Sequence, residues 1–200
     1  MYNNQQIFKN MKEEVYNEEN FDFEDDDMIE GDFGWEGMDA DLFFRVGDKN
    51  IHVVSNGNTP PKVITDNEDS IYIQDRIYES EEIYDFETEL NPNLKNLVKG
   101  IDKESAEFAL EMCGIDLSPE EDPVEAYIKN IYAETFIEMA SAGFWSFDSD
   151  ENGNCFLVAR PKEKVGDIYN LKETPFYTDK ELEIKEDKPF DLVGELNKLF

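Results

Sequence analysis

DPVEAYIKNIYAETFIEMASAGFWSFDSDENGNCFLVAR, residues 122–160, is the stretch whose reading decides the fold. Val124, Tyr127, Ile128, Ile131, Thr135 and Met139 recur at spacings of three and four, so they share one face of a helix over 123–142, with Tyr132 and Phe136 widening the stripe. Asp122 supplies an N-cap, and Pro123 suits the first helical position, where its missing N–H is no loss. Gly143 can take the left-handed conformation that ends the run. Beyond it, Phe144-Trp145-Ser146-Phe147 and Cys155-Phe156-Leu157-Val158 are strand formers, and the polar residues 148–154 between them, with Gly153, read as a hairpin turn. The helix and this hairpin are expected to pack together.

Toward the N-terminus, Leu42-Phe43-Phe44-Arg45-Val46 and Ile51-His52-Val53-Val54 flank Gly47-Asp48-Lys49-Asn50, a second hairpin signal. Residues 56–61 break the sheet. Lys62-Val63-Ile64 and Ile71-Tyr72-Ile73 read as short strands of a small antiparallel sheet, whereas 66–89 fits strand or helix equally. Asn91-Pro92 opens a short helix carrying Leu94, Leu97 and Val98. Asp102 caps another, with Phe108, Ala109, Met112 and Cys113 inward and Gly114 at its end. In the charged residues 161–188 the anchors are Tyr169, Leu171, Phe176 and Tyr177. The final 191–200 is amphipathic through Leu192, Val193, Leu196, Leu199 and Phe200, and either closes the core or docks elsewhere. Residues 3–17 read as a short amphipathic helix on Ile7, Phe8, Met11 and Val15. The fold class is therefore α+β: hairpin-based sheet elements, about three central helices, and an acidic N-terminal arm at 1–41 before a single domain at 42–200.

Charge is the strongest compositional signal. The 200 residues carry 49 Asp and Glu against 18 Lys and Arg, a net −31. Contact with nucleic acid or an anionic membrane is disfavoured, because the phosphate term that dominates such binding is here repulsive. The expected partner is a basic protein surface, and oligomeric state is left open, as is membership of a larger assembly. No stretch approaches the ~20 apolar residues of a membrane span, so a cytoplasmic location is expected. Cys113 and Cys155 match no ligand spacing and read as reduced, buried thiols.

From 13 to 41 there are 14 acidic residues and no Lys or Arg, interleaved with aromatics. Such a segment suits folding onto a partner. The expected partner-binding residues are Phe21, Asp22, Phe23, Glu24, Asp25, Asp26, Asp27, Glu30, Asp32 and Trp35, joined by Glu79, Glu81, Glu82 and Asp85 of the acidic 66–89. Fourteen charges over 29 residues is one per ~7 Å of extended chain, sparser than the one per ~1.7 Å of duplex DNA. The arm alone therefore does not imitate a duplex.

The chemistry-bearing positions are few. His52, the sole histidine, alternates with Ile51 and Val53 and is expected on a solvated face. Asp148-Ser149-Asp150-Glu151-Asn152-Gly153 matches the first half of a calcium loop, making Asp148, Asp150 and Asn152 metal candidates, but Ala159 stands where such a loop requires Glu. Gly31, Gly34 and Gly37 have the wrong spacing for a dinucleotide loop. Glu183-Ile184-Lys185 is the E-x-K element that metal-dependent nucleases place on a strand, with Asp167 or Asp179 as further ligand. No cofactor and no catalytic residue is assigned. The expectation is a non-catalytic acidic protein occupying a basic, normally nucleic-acid-binding surface of a partner, as inhibitors from phages and mobile elements do. The alternatives are an assembly subunit of a large complex such as a phage virion, tethered through its termini, and, through Glu183 and Lys185, a nuclease-like enzyme.

Overall fold

Both expected hairpins form, and they lie side by side in one sheet. A computed structural model describes residues 39–67, 70, 74, 77 and 84–200, all of them within one compact unit spanning 35–200. The readings made for 1–38, including the N-terminal helix and the glycines at 31–37, and the strand read at 71–73 lie outside the described residues.

The fold is α+β. Its strands are β1 (Asp41–Val46), β2 (Lys49–Val54), β3 (Thr88–Leu90), β4 (Phe144–Ser149), β5 (Cys155–Pro161) and β6 (Tyr177–Thr178), ordered β3-β5-β4-β2-β1-β6. The hairpin β1–β2 turns on Gly47 and Asp48 alone, with Gly47 at φ 60°, so β2 begins two residues closer to the turn than the sequence indicated. The two hairpins join through a parallel pairing of β2 with β4, Asn50 opposite Phe144 through Val53 opposite Phe147. The sheet is thus mixed and continuous, where separate antiparallel pieces were expected. Its two parallel contacts are β2–β4 and β1–β6.

Both faces of the sheet are buried, which explains why Leu42-Phe43-Phe44 and Cys155-Phe156-Leu157-Val158-Ala159 are apolar without alternation. On one face Leu42, Phe44, Val46, Ile51, Val53, Phe147 and Leu157 meet Ile64, Phe176, Phe190, Leu192 and Leu196. The last two belong to α6 (Leu192–Leu199), capped by Asp191, which accepts from Gly194 N at 2.8 Å. The C-terminal stretch therefore closes the core. Ile64 lies on α1 (Lys62–Thr65), helical where a strand was read. Pro60-Pro61 just before it has no backbone N–H to give a ladder, and Pro61 at the N-cap starts a turn instead.

On the other face, Phe156 and Val158 pack against Leu94 and Leu97 of α2 (Leu94–Leu97) and against the helix of residues 123–141. That helix is α4 (Pro123–Tyr127), a π turn (Ile128–Tyr132) and α5 (Glu134–Ser141). Asp122 caps it through Val124 N and Glu125 N at 2.9 and 3.1 Å. Phe43 and Phe144 meet Ile77 and Leu171 alongside. Ser70, Gln74 and Ile77 are helical and buried at spacings of four and three, so these described positions of the ambiguous acidic stretch are helix. Gln74 accepts from Phe43 N at 2.5 Å and donates to Phe43 O at 3.2 Å. Its amide stands in for a strand where the two-residue β6 does not reach. At the turn end, Arg45 and its cross-strand neighbour Asn50 both donate to Gly166 O at 3.1 Å, fixing the segment after β5. Among the described residues, no helix is long and apolar enough to cross a membrane.

Gly143 ends the long helix at φ 101°, and a Cβ there would lie 2.9 Å from Val165 Cγ1 and 3.2 Å from Ile168 Cδ1. Gly143→Ala should lower unfolding stability by about 2 kcal/mol or more, from the left-handed backbone and the clash together. Gly166→Ala, with open space around it and no positive φ, should change stability by less than ~0.5 kcal/mol. Urea melts of the two variants check the contrast.

The cysteines separate in the same way. Cys155 is buried, with its thiol pushed up to about 11 by burial, whereas Cys113 is exposed, against expectation. A thiol reagent should titrate one cysteine per native chain and two after denaturation.

Candidate functional site

The helix α3 (Lys103–Met112) turns over the sequence reading of its own faces. Asp102 caps it, its side chain accepting from Ser105 N at 2.8 Å, and that bond draws the carboxyl below its ordinary range. Ala106 and Leu110 are the buried residues, packed toward α4. Phe108 and Met112, read as inward, are instead 65 % and 72 % exposed, and Cys113 is exposed at the C-cap. At ~100° per residue the pair Phe108 and Met112 sits roughly 200° around the helix from Ala106 and Leu110. The sequence contains both stripes. More apolar residues lie between 106 and 115 than one helix face can bury, and that excess was the signal available.

Acid surrounds the exposed pair. Glu104 and Glu111 are four residues before and three after Phe108, which makes them its neighbours on the helix surface. From 102 to 125 there are nine Asp and Glu against one Lys, and every one of the nine carboxylates is exposed. Lys103 pairs with Glu107 at 3.5 Å, and Lys95 reaches in to Asp122 and Glu125 at 3.0 and 2.9 Å. Among the described residues Glu104, Glu111, Asp116, Glu120 and Glu121 have no ion-pair partner, so the negative field over Phe108 is left standing.

The basic residues are matched where they gather. A groove of about 330 Å³ beside Trp145 collects Lys49, Arg160, Lys162 and Lys164. Lys49 and Lys164 share Asp48 at 3.2 and 2.7 Å, and their hydrogen bonds, Lys164 first, hold that carboxyl down at about 2. Arg160 lies 4.8 Å from the Trp145 ring centre and bonds Glu89 and Glu186 at 2.7 and 2.5 Å.

His52 is not on a solvated face. With both sides of the sheet covered it is 0 % exposed, and it stacks on Phe43 at 5.2 Å. Its Nδ1 is 2.7 Å from Ser146 Oγ and its Nε2 is 2.7 Å from Asp41 Oδ1. The three residues are the elements of a hydrolytic triad, but Ser146 is also fully buried, so a substrate carbonyl has no approach to its oxygen. The relay instead ties β1, β2 and β4 together.

The calcium-like loop is a turn held by its own acids. Asp150 Oδ1 accepts from Asn152 N and Asn154 N, both at 2.9 Å. Asp148 accepts from Asn56 Nδ2 at 2.6 Å, from Ser149 N at 2.7 Å and from the Tyr132 hydroxyl. Among the described residues there is no group of three or more His, Cys, Asp or Glu side chains that could hold a metal ion. Glu183 and Lys185 are exposed on a segment outside the sheet, whereas metal-dependent nucleases place this element on a strand. Asp167 caps the turn at Leu171 N and Lys172 N, at 2.8 and 3.1 Å, and so is not turned toward them.

Of the expected partner-binding residues, Asp85 is exposed. Phe21, Asp22, Phe23, Glu24, Asp25, Asp26, Asp27, Glu30, Asp32, Trp35, Glu79, Glu81 and Glu82 lie outside the described residues. Among the described residues the exposed large apolar side chains are Phe108, Met112 and Phe200, the first two on a helix face that the sequence reading had turned inward. Comparison of the chain with protein-family models, with curated proteins and with solved structures finds no match.

Proposed function

We propose that this chain is an acidic interaction protein that binds a basic, partly apolar surface of another protein, with α3 as a contact element. The observation that carries the reading is Phe108 and Met112 standing in solvent between unpaired Glu104 and Glu111. Large apolar side chains held outward mark interaction surfaces, and methionine adapts to varied partners. The acidic surround selects a partner whose own apolar residues are rimmed by Lys or Arg, as on one side of a basic amphipathic helix. The net charge of −31 would steer such a partner from a distance.

Mimicry of nucleic acid is a narrower claim, and α3 does not carry it. Glu104, Glu107 and Glu111 are three and four residues apart, about 5 Å per charge along the axis, against ~1.7 Å in duplex DNA. The assembly reading loses one of its two tethers, since Leu192 and Leu196 of α6 are fully buried in the core.

The test uses the full chain and a synthetic helical peptide with Lys on one side and Leu and Trp on the other, beside a scrambled peptide of equal charge. The amphipathic peptide should bind more tightly, protect Cys113 from alkylation, and weaken by about tenfold or more between 50 and 300 mM salt. Phe108→Ser with Met112→Ser should erase the preference over the scrambled peptide, while Glu104→Gln with Glu111→Gln should flatten the salt dependence. Equal binding of both peptides by the native chain, or binding indifferent to all four substitutions, would overturn the proposal.

A further inference from the structure

A cleft of about 480 Å³ lies between the end of α2, the π turn and the β4–β5 turn, within the size range of small-molecule sites. Its walls are of two kinds. Leu97, Val98, Phe156 and the ring of Tyr132 are apolar, with Leu97 and Phe156 buried. Asp148, Asp150 and Glu151 are acidic. Among the described residues none of these three carboxylates has an ion-pair partner. The donors to Asp148 are neutral: the Tyr132 hydroxyl, Asn56 Nδ2 and Ser149 N. Lys99 on the same cleft gives its ammonium to Asn96 O.

The negative field is felt by the neighbours. Burial raises the Tyr132 hydroxyl, and the Asp148 charge raises it further. The Cys155 thiol is pushed up to about 11, by burial first and by the charges of Asp148, Asp150 and Asp191, against the opposing bond from Ser149. Tyr132 is the last residue of the π turn, a rare conformation that recurs at functional sites. This arrangement does not suit calcium or magnesium, which take an all-oxygen shell, because half of this wall is hydrocarbon. It suits a cation that brings its own hydrocarbon.

We infer that this cleft binds an alkyl chain ending in an ammonium group, its methylenes against Leu97, Val98, Phe156 and the Tyr132 ring and its charge at Asp148 and Glu151. The same chemistry is offered by a free diamine and by the lysine side chain of a protein. This site is separate from α3 and does not rest on the interaction reading.

The experiment is an NMR titration of the full chain in 150 mM NaCl with cadaverine and, separately, with Nα-acetyl-lysine N-methylamide, following the Leu97 and Val98 methyls and the Tyr132 ring. Magnesium ions and 1-pentanol test charge alone and alkyl chain alone. Saturable one-to-one shifts confined to the cleft, absent with the Nε-acetylated lysine derivative, are the expected result. A response to cadaverine only assigns the site to free amines, and a response to both extends it to lysine side chains. Asp148→Asn should weaken binding about tenfold. Should that change disturb the turn, Glu151→Gln, at an exposed position, should weaken it about threefold. Phe108→Ser with Met112→Ser should leave it unchanged, so failure here and failure at α3 are separable. Shifts spread over the α3 carboxylates without saturation, reproduction by magnesium ions, or indifference to Glu151→Gln would overturn the inference.

Discussion

The parallel seam between β2 and β4 is the constraint on which the molecule depends. Each hairpin alone would offer an open edge and two wet faces, and an isolated hairpin is marginal in water. Joined at Asn50–Phe144 through Val53–Phe147, they form a sheet wide enough to be covered on both sides. Neighbours in a parallel pair lie far apart in the chain, so the seam closes a long loop at an entropic cost. Side-chain bonds reinforce it. His52 of β2 bonds Ser146 of β4 and Asp41 of β1, and Asn50 Nδ2 reaches Gly143 O at 3.4 Å, just before β4 starts. A buried imidazole with a partner on each nitrogen has its polar demand met, and it also fixes the register in which the two hairpins meet.

Covering the sheet on both sides explains how so acidic a chain folds. The described core is apolar on either face, and the carboxylates are pushed to the rim, the turns and the outer helices. The half-buried Asp148 and Asp150 are given neutral donors, and the exposed Asp102, Asp122 and Asp191 serve as caps. Repulsion is thus held at the surface, where water and ions screen it. The charge is not spread evenly along the chain. From 160 to 200 there are eight Lys and Arg against ten Asp and Glu, so nearly all the excess acid belongs to the first 159 residues.

That asymmetry gives the molecule distinct surfaces. The groove at Trp145 is internally balanced, with cations and carboxylates matched in pairs. The face of α3 and the cleft at Tyr132 are not balanced, and each combines unmatched negative charge with exposed or accessible hydrocarbon. On the reading proposed above, the pairing of those two properties is what a partner would meet, because water alone satisfies carboxylates but not Phe108 or Met112.

Elements whose signals are local could be read from the residues one at a time. Asp122-Pro123 and Gly143 bounded the long helix because capping and left-handed φ are properties of single residues, and strand-forming runs around Gly47 and Gly153 marked both hairpins. The α+β class followed from these alone. Tertiary structure decided what depends on a second element covering the first. Period-two alternation could not say that the His52 side of β2 would be buried, because its cover comes from elsewhere in the chain: Phe136 of α5 lies 6.4 Å from its ring, and Gln74 and Ile77 lie against the neighbouring Phe43. Nor could period 3.6 say which of the two apolar stripes on α3 would face inward. Packing against α4 took Ala106 and Leu110, and the same choice left Phe108 and Met112 in water. Likewise the acids of the β4–β5 turn spell half a metal loop in one dimension. Their hydrogen bonds to Asn152 N, Asn154 N, Asn56 and Tyr132 become visible only when the turn is folded against its neighbours.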